Sequence, residues 1–476
     1  MSSDALPGAD ARRLHRAGIV VLAVEALRDA ALPMLVIAVV GLVGGGFDAA
    51  GVLRALALAA AGGAVAAVAG ALGWATTRWW LDDGAIRVKT GLLSTRIVDI
   101  PLTRVQSIDT VRGPVQRLFG VQGVHVQTAG GGKEGEIKLV ALDAADLAVL
   151  RAAIAGRRPE AVAREEEPAT RRRLERRSLL VAALTSGQVG VLVPVLAALP
   201  QVVDQLAGGD LEDAGREGVR LVPDSAAEWV LAGGALLAVA WLLAILGTIA
   251  AFAGFEVARR GERLRIRRGL LARRESTVTV ARVQAVLVVE GILRRPFGLA
   301  SLRVEVAGFK AEAAAAQTLF PLLRRRDVPG FLAALLPEHA DALDGLAPPP
   351  SRARRRYLLP PALAGLALGA ALWLALPAAG PWPLVLALPG LGAGALAWSA
   401  AGWRVRDGRV AVRSRRLARV TVLAPARALQ EVARSQSPLQ RHGGLADLHL
   451  AVGAGTRARV RHLDERVATG AYDALR

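Results

Sequence analysis

A short signature recurs three times in this chain at fixed internal spacing, each time after a pair of apolar stretches long enough to cross a membrane. The first copy has Arg104-Val105-Gln106, with Arg117 eleven residues past the glutamine and Gly120 fourteen past it. The second has Arg282-Val283-Gln284, with Arg295 and Gly298 at the same offsets. In the third, Gln430 is followed at those offsets by Arg441 and Gly444. One unit, a membrane hairpin followed by a soluble module, is therefore used three times.

Six segments approach the ~20 apolar residues that a bilayer requires: roughly 30–47, 53–75, 179–203, 229–253, 358–376 and 382–401. Short connections at 48–52 and 377–381 and a longer one at 204–228 pair them. The stretch from Trp229 to Ala253 carries no charge, which a buried helix of a soluble protein does not need. The first 16 residues are polar and are expected to be disordered, and 12–29 reads as an amphipathic helix beside the membrane. Glu25, Arg28 and Asp29 interrupt the apolar run, so it is no signal peptide.

The chain has a net charge of +19 and no cysteine. The missing cysteine removes disulfides, thiol catalysis and Cys-ligated metals. The loop 204–228 holds seven carboxylates against two arginines, whereas 75–178, 255–357 and 402–476 carry net charges of +5, +10 and +9. Basic segments stay on the cytoplasmic side. Both termini and all three modules are thus expected in the cytoplasm of a multi-pass plasma-membrane protein, with the acidic loop outside.

Each module opens with a strand at the membrane exit (Trp79-Trp80-Leu81, Phe255-Glu256-Val257, Trp403-Arg404-Val405), followed by a Gly-containing turn. Alternation then marks further strands, as in Leu264-Arg265-Ile266-Arg267. A helix closes each module; the first is expected to start at Asp143 and the last near Asp464 or Glu465. Six or seven short strands and one helix suggest a half-open antiparallel barrel plugged at one end.

This order resembles the bacterial pleckstrin-homology-like membrane proteins. The resemblance rests on Gly91-Leu92-Leu93 with Arg96, Ile100-Pro101-Leu102-Thr103-Arg104-Val105-Gln106 and Pro114-Val115-Gln116-Arg117-Leu118-Phe119-Gly120. It rests also on Pro425, Gln430 and Ser437-Pro438-Leu439-Gln440-Arg441 with Gly444. The second unit has Thr279 and Ile292 in place of the prolines, and the third has Arg427 one place early. The resemblance implies six transmembrane helices in three hairpins alternating with three cytoplasmic PH-like α+β modules, each a curled antiparallel sheet with a C-terminal helix. The boundaries are an N-terminal helix and hairpin over 1–75, module 1 with its basic linker over 76–178, hairpin 2 over 179–254, module 2 over 255–357, hairpin 3 over 358–402 and module 3 over 403–476. It implies no particular activity.

No paired acids, activated nucleophile or metal-ligand spacing stands out among the six scattered histidines, so no enzyme, cofactor or metal is expected. Gly130-Gly131-Gly132-Lys133 lacks the Ser or Thr and the following helix of a phosphate loop, and reads as a hairpin tip. Gly390, Gly392 and Gly394 fall inside the sixth span, where small residues let helices approach. The glutamines Gln106, Gln284 and Gln430 are expected at a bulge, where a side-chain amide can bond neighbouring backbone. Arg117, Arg295 and Arg441 precede the turn glycines, and these nine positions carry either structure or a ligand anchor. Arg259, Arg260, Arg263, Arg265, Arg267, Arg268, Arg273 and Arg274 crowd the first hairpin of module 2. Of these, Arg265, Arg267, Arg273 and Arg274 are the expected contacts for anionic phospholipid headgroups. The reading is a non-enzymatic scaffold or envelope-maintenance protein that binds lipid headgroups, partner proteins of its own kind, or itself. A transporter or lipid-moving protein is the alternative. Nucleic acid is a poor partner because no aromatic stacking platform accompanies the arginines.

Overall fold

In a computed structural model of the chain, the structure describes residues 11–27, 49–82, 84–91, 95–128, 136–157, 170–185, 244–307, 318–340, 343–375, 380–452 and 456–475, with a few single positions between them. The segments 30–47 and 204–228 and the glycine tip at 130–133 lie outside these residues.

Among the described residues, twenty strands run in chain order. They are β1 (Arg12–Arg13), β2 (Arg78–Asp82), β3 (Ala85–Thr90), β4 (Arg96–Pro101), β5 (Val105–Arg112), β6 (Gln122–Thr128), β7 (Glu136–Leu142), β8 (Thr170–Arg173), β9 (Glu256–Arg260) and β10 (Arg263–Arg268). They continue with β11 (Arg273–Thr279), β12 (Val283–Glu290), β13 (Leu299–Val306), β14 (Thr318–Arg324), β15 (Gly402–Arg406), β16 (Arg409–Arg415), β17 (Arg419–Pro425), β18 (Leu429–Ser435), β19 (Leu445–Val452) and β20 (Thr456–Asp464). Among the described residues each module has six of these strands, β2–β7, β9–β14 and β15–β20, and β1 and β8 lie outside them. Helices Ala144–Arg157, Val328–Leu335 and Glu465–Leu475 close them. The Asp143 carboxylate accepts the Asp146 amide at 2.7 Å, so it caps the first of these helices.

The chain divides into two compact units. The first comprises 1–166, 188–255 and 267–277; the second comprises 167–187, 256–266 and 278–476. In the first unit β1–β4 form one antiparallel sheet, and β5, β6 and β7 continue into a second. The two close over Trp79, Ile86, Val88, Ile100, Val124, Val126, Leu139 and Leu142, with Leu147 and Leu150 of the closing helix against them. Fully burying such aliphatic side chains contributes roughly 1.5–3 kcal/mol each. In the second unit β14, β13, β12, β17, β16 and β15 form a six-stranded sheet and β18–β20 a three-stranded one. Val410, Val412, Leu448, Leu450, Val460, Leu463 and Ala468 fill the core between them.

The three copies repeat down to single backbone bonds. Leu102, Val280 and Ala426 donate to the carbonyls of Gly84, Glu262 and Gly408 at 2.8, 2.8 and 2.7 Å. In each copy an incoming segment also pairs with the opening strand, at Arg12↔Trp79, Arg172↔Val257 and Ala347↔Trp403. This corrects the expectation for the start of the N-terminal helix: residues 12–13 are a strand, and among the described residues the helix runs over Gly18–Leu27. Arg12 is drawn into the sheet, where its guanidinium reaches Asp146 at 2.6 Å and lies 5.8 Å from the Trp79 ring.

Two described helices are long and apolar enough to cross a membrane, Ser351–Ala375 and Trp382–Ala400, matching the expected fifth and sixth spans. The second expected span falls on helix Ala49–Thr76. Of the third, helix Arg176–Leu184 is described, and of the fourth, 244–252 is helical.

Candidate functional site

The repeated signature resolves into two backbone features. At Gln106, Gln284 and Gln430 the strand register shifts by one residue, between Val105 and Ser107, Val283 and Ala285, and Leu429 and Glu431. Each glutamine is the extra residue of a bulge, which bends the strand as it leaves the short 3-10 turn before it. Of the side chains, the Gln284 Oε1 is buried without a hydrogen-bond partner and Gln430 is exposed, while the Gln106 side chain lies outside the described residues. Gly120, Gly298 and Gly444 each take a left-handed φ, at 67°, 62° and 58°. Each amide donates to the carbonyl of the motif arginine, Arg117, Arg295 and Arg441, at 3.3, 3.0 and 3.0 Å. Glycine fits because a Cβ disfavours that conformation.

These tips sit against helices that adjoin each module. Val121 packs with Ala17, where the first helix begins. In module 2, Arg294 donates to the Ala182 carbonyl at 3.2 Å and the Thr185 hydroxyl at 3.1 Å, both at the end of helix Arg176–Leu184. In module 3, Arg352 donates to the Gly444 carbonyl at 3.0 Å and pairs with Asp464, and Arg356 donates to the Leu439 carbonyl. The Gly269-Leu270 turn likewise donates to the Ala253 and Ala250 carbonyls at 2.9 and 2.8 Å, and Arg117 donates to the Leu270 carbonyl at 3.0 Å. Large apolar side chains stand exposed here: Leu118, Phe119, Leu270, Leu271, Leu293, Phe297 and Leu439. Burial holds the Arg294 guanidinium down to about 10, with Arg303 adding to the effect, so it is still charged at neutral pH.

The arginine cluster of module 2 is not uniform. In β10, Leu264, Ile266 and Arg268 are buried, while Arg265 is half-buried and Arg267 exposed on alternate positions. Arg267 pairs with Glu275 at 3.1 Å. Arg268 lies 5.6 Å from the Phe252 ring, and burial, with Arg274 nearby, lowers it to about 10 against the pull of Asp109. Arg259 donates to the Leu335 carbonyl at 3.1 Å. Arg273 and Arg274 are exposed in β11, just past the Gly-Leu-Leu turn.

Sequence reasoning missed three things. The residue before each motif arginine is a structural polar group: Gln116 and Gln440 are buried, and Arg294 anchors its helix. The repeated glutamine at 116 and 440 was a readable sign of this. Gln440 belongs to a network with buried Asp447, which also accepts the His462 amide at 2.7 Å and the Arg459 Nε at 3.0 Å. The third is that strands join successive modules. β5 pairs antiparallel with β11, at Arg112↔Arg273, Val111↔Arg274 and Thr110↔Glu275. β12 pairs antiparallel with β17, from Glu290↔Arg419 to Val286↔Leu423. Ala285 and Leu287 of β12 join the core of module 3. Among the described residues no group of three or more His, Asp or Glu could hold a metal ion.

Curled β modules with a closing helix, each tip seated on an apolar helix, define a membrane protein built from tandem PH-like repeats. The chain belongs to the bacterial PH domain family, whose model matches it three times, at 22–158, 195–338 and 356–475. It is also similar to the UPF0699 transmembrane protein YdbT of Bacillus subtilis (strain 168), 27% identical over 398 residues that cover 80% of each chain.

Proposed function

We propose that this protein is a non-enzymatic scaffold of the plasma membrane, with six spans and cytoplasmic modules whose membrane-proximal ends rest on anionic lipid headgroups. The observation that carries the reading is the seating of each tip against an adjoining helix, with exposed leucine and phenylalanine beside arginine. Such ends combine apolar insertion with phosphate binding: each basic residue near an anionic leaflet contributes about 1 kcal/mol, and guanidinium can grip phosphate through paired bonds. Arg273 and Arg274 are the leading contacts. Arg265 and Arg267 add to the same field, although Arg267 must share its charge with Glu275. The scaffold role follows from modules that couple to one another through sheet edges and so present proteins with backbone to pair against.

The test uses the full-length protein in nanodiscs of zwitterionic lipid alone or with added phosphatidylglycerol, read by amide hydrogen exchange. Exchange at Leu270–Glu275 and at 117–120 should slow in the anionic discs. Raised salt or Arg273→Ala/Arg274→Ala should remove the difference. Equal exchange in both discs would reduce the arginines to topology signals.

A further inference from the structure

The two strand junctions between modules are one junction used twice. The offset that carries Gln106 to Gln284 carries Arg112 to Glu290, and the offset that carries Gln284 to Gln430 carries Arg273 to Arg419. Arg112 pairs with Arg273, and Glu290 pairs with Arg419. The register is the same although the side chains differ, so the fold fixes it rather than one particular residue pair.

Two strands of this kind take no part in such a junction among the described residues. The strand equivalent to β5 and β12 in module 3 is β18; among the described residues it pairs with β19 only. The strand equivalent to β11 and β17 in module 1 is β4; among the described residues it pairs with β3 only. By contrast β7, β14 and β20 are sheet edges in all three copies, so they are edges by design of the module. β4 and β18 are edges although their counterparts in the other modules, β11 and β17, and β5 and β12, are paired on that side. Their exposure shows it. β12 alternates buried and half-buried along its length, whereas β18 has Gln430, Glu431, Arg434 and Ser435 exposed. β17 buries four consecutive residues, whereas β4 buries only Ile100 and leaves Ile97 44% exposed.

We propose that β18 of one copy pairs antiparallel with β4 of a second copy, in the register already used twice within the chain. Carrying over the offsets places Arg96 opposite Ser435, Ile97 opposite Arg434, Val98 opposite Ala433 and Asp99 opposite Val432. Asp99 then lies diagonal to Arg434, within reach of an opposite charge. A one-residue slip that sets Asp99 against Glu431 also sets Arg96 against Arg434, two like-charge pairs, and reverses the facing of every side chain. A second copy fits because it carries the complementary half in the same membrane plane. The contact is head-to-tail, so copies extend as a row or close into a ring. This deepens the scaffold reading at the same modules and does not depend on lipid contact.

The chain's lack of cysteine makes the test clean. Val98→Cys is made in a chain with one tag and Ala433→Cys in a chain with another. The full-length proteins are reconstituted together in vesicles of phosphatidylcholine only and oxidised. Directly opposite Cβ atoms in an antiparallel pair lie about 4.5–5.5 Å apart, so a two-tag disulfide dimer should be the main cross-linked species. Val98→Cys with Leu417→Cys, an exposed loop position, should give little. Equal yield with Leu417→Cys, or no two-tag cross-link in these vesicles, would each overturn the proposal. Because the vesicles are neutral, failure here is separate from failure of the lipid reading.

Discussion

Arg419 grips Glu290 across the strand pair that joins the second and third modules. Its Nε lies 2.9 Å from one carboxylate oxygen, its Nη2 bonds the other, and the glutamate side chain is 2% exposed. Arg325 adds a second charge 3.8 Å away. Two arginines around one buried carboxylate compensate it, and neither partner is dispensable alone. Glu290→Ala leaves Arg419 without its counter-ion, while Arg325 keeps Asp344 at 2.7 Å. Breaking a buried pair from one side costs about 3–5 kcal/mol, whereas replacing both partners with apolar residues is often neutral. Glu290→Ala and Arg419→Ala are therefore expected to unfold at lower temperature than the double variant Glu290→Met/Arg419→Leu, measured in the full chain in detergent.

The triplicate was legible because the glutamine, arginine and glycine keep fixed spacing, and local turn chemistry imposes that spacing. The bulge and the left-handed glycine are both short-range features. The junctions were not legible. Arg112 and Arg273 are far apart in the chain, and no local pattern marks a strand edge that will be covered by another module. Burial is set at long range in the same way: Arg268 is as basic in sequence as Arg273, yet it is buried against Phe252. Arg12-Arg13 was too short a strand to see, because its pairing partner is β2 and its own two residues carry no alternation.

Acidification should weaken the second unit. Burial is the first cause that lowers His339, His449 and His462 below the ordinary imidazole value. For His462, Asp447 pulls the other way, while Arg356, Arg461 and Arg459 push further down. The folded chain thus binds these protons less well than the unfolded chain. Their contribution is intact above about pH 6.5, the unperturbed value, and is lost as pH falls toward the lowered folded values. Burial pushes the Asp447 carboxyl up, but the His462 amide and Arg459 outweigh it and hold it low; its contribution disappears only at still lower pH. The melting temperature should be flat near pH 8 and fall below about pH 6.5. His462→Asn should flatten part of that fall, and an unchanged profile would show that His462 does not contribute.

The proposed sidedness rests on charge: the basic modules and the acidic segment 204–228 differ in sign, and basic segments tend to stay on the cytoplasmic side. Reporter fusions at Gly156, Gly345 and Arg476 should all report cytoplasm. A single external report among the three would change the pairing of the spans and move one module to the other face of the membrane.

The hairpin of helices Arg354–Ala375 and Ala387–Ala400 is closed by glycine at both faces of the contact. A Cβ added at Gly369 would overlap the Pro383 carbonyl, and one at Gly390 would overlap the Pro361 carbonyl; Gly365 and Gly394 meet Leu386 and Tyr357 in the same way. Gly392, on the same helix, has nothing within 4 Å of that position. In lipid there is no hydrophobic drive to hold two helices together, so association relies on close packing and small residues at the seam. Introducing a side chain there forces the helices apart, at a cost of about 1–3 kcal/mol for an overpacked site. Gly369→Leu and Gly390→Leu should lower the melting temperature of the full chain in detergent, and Gly392→Leu should leave it nearly unchanged. Equal losses from all three would mean that the backbone contact does not set the packing of this hairpin.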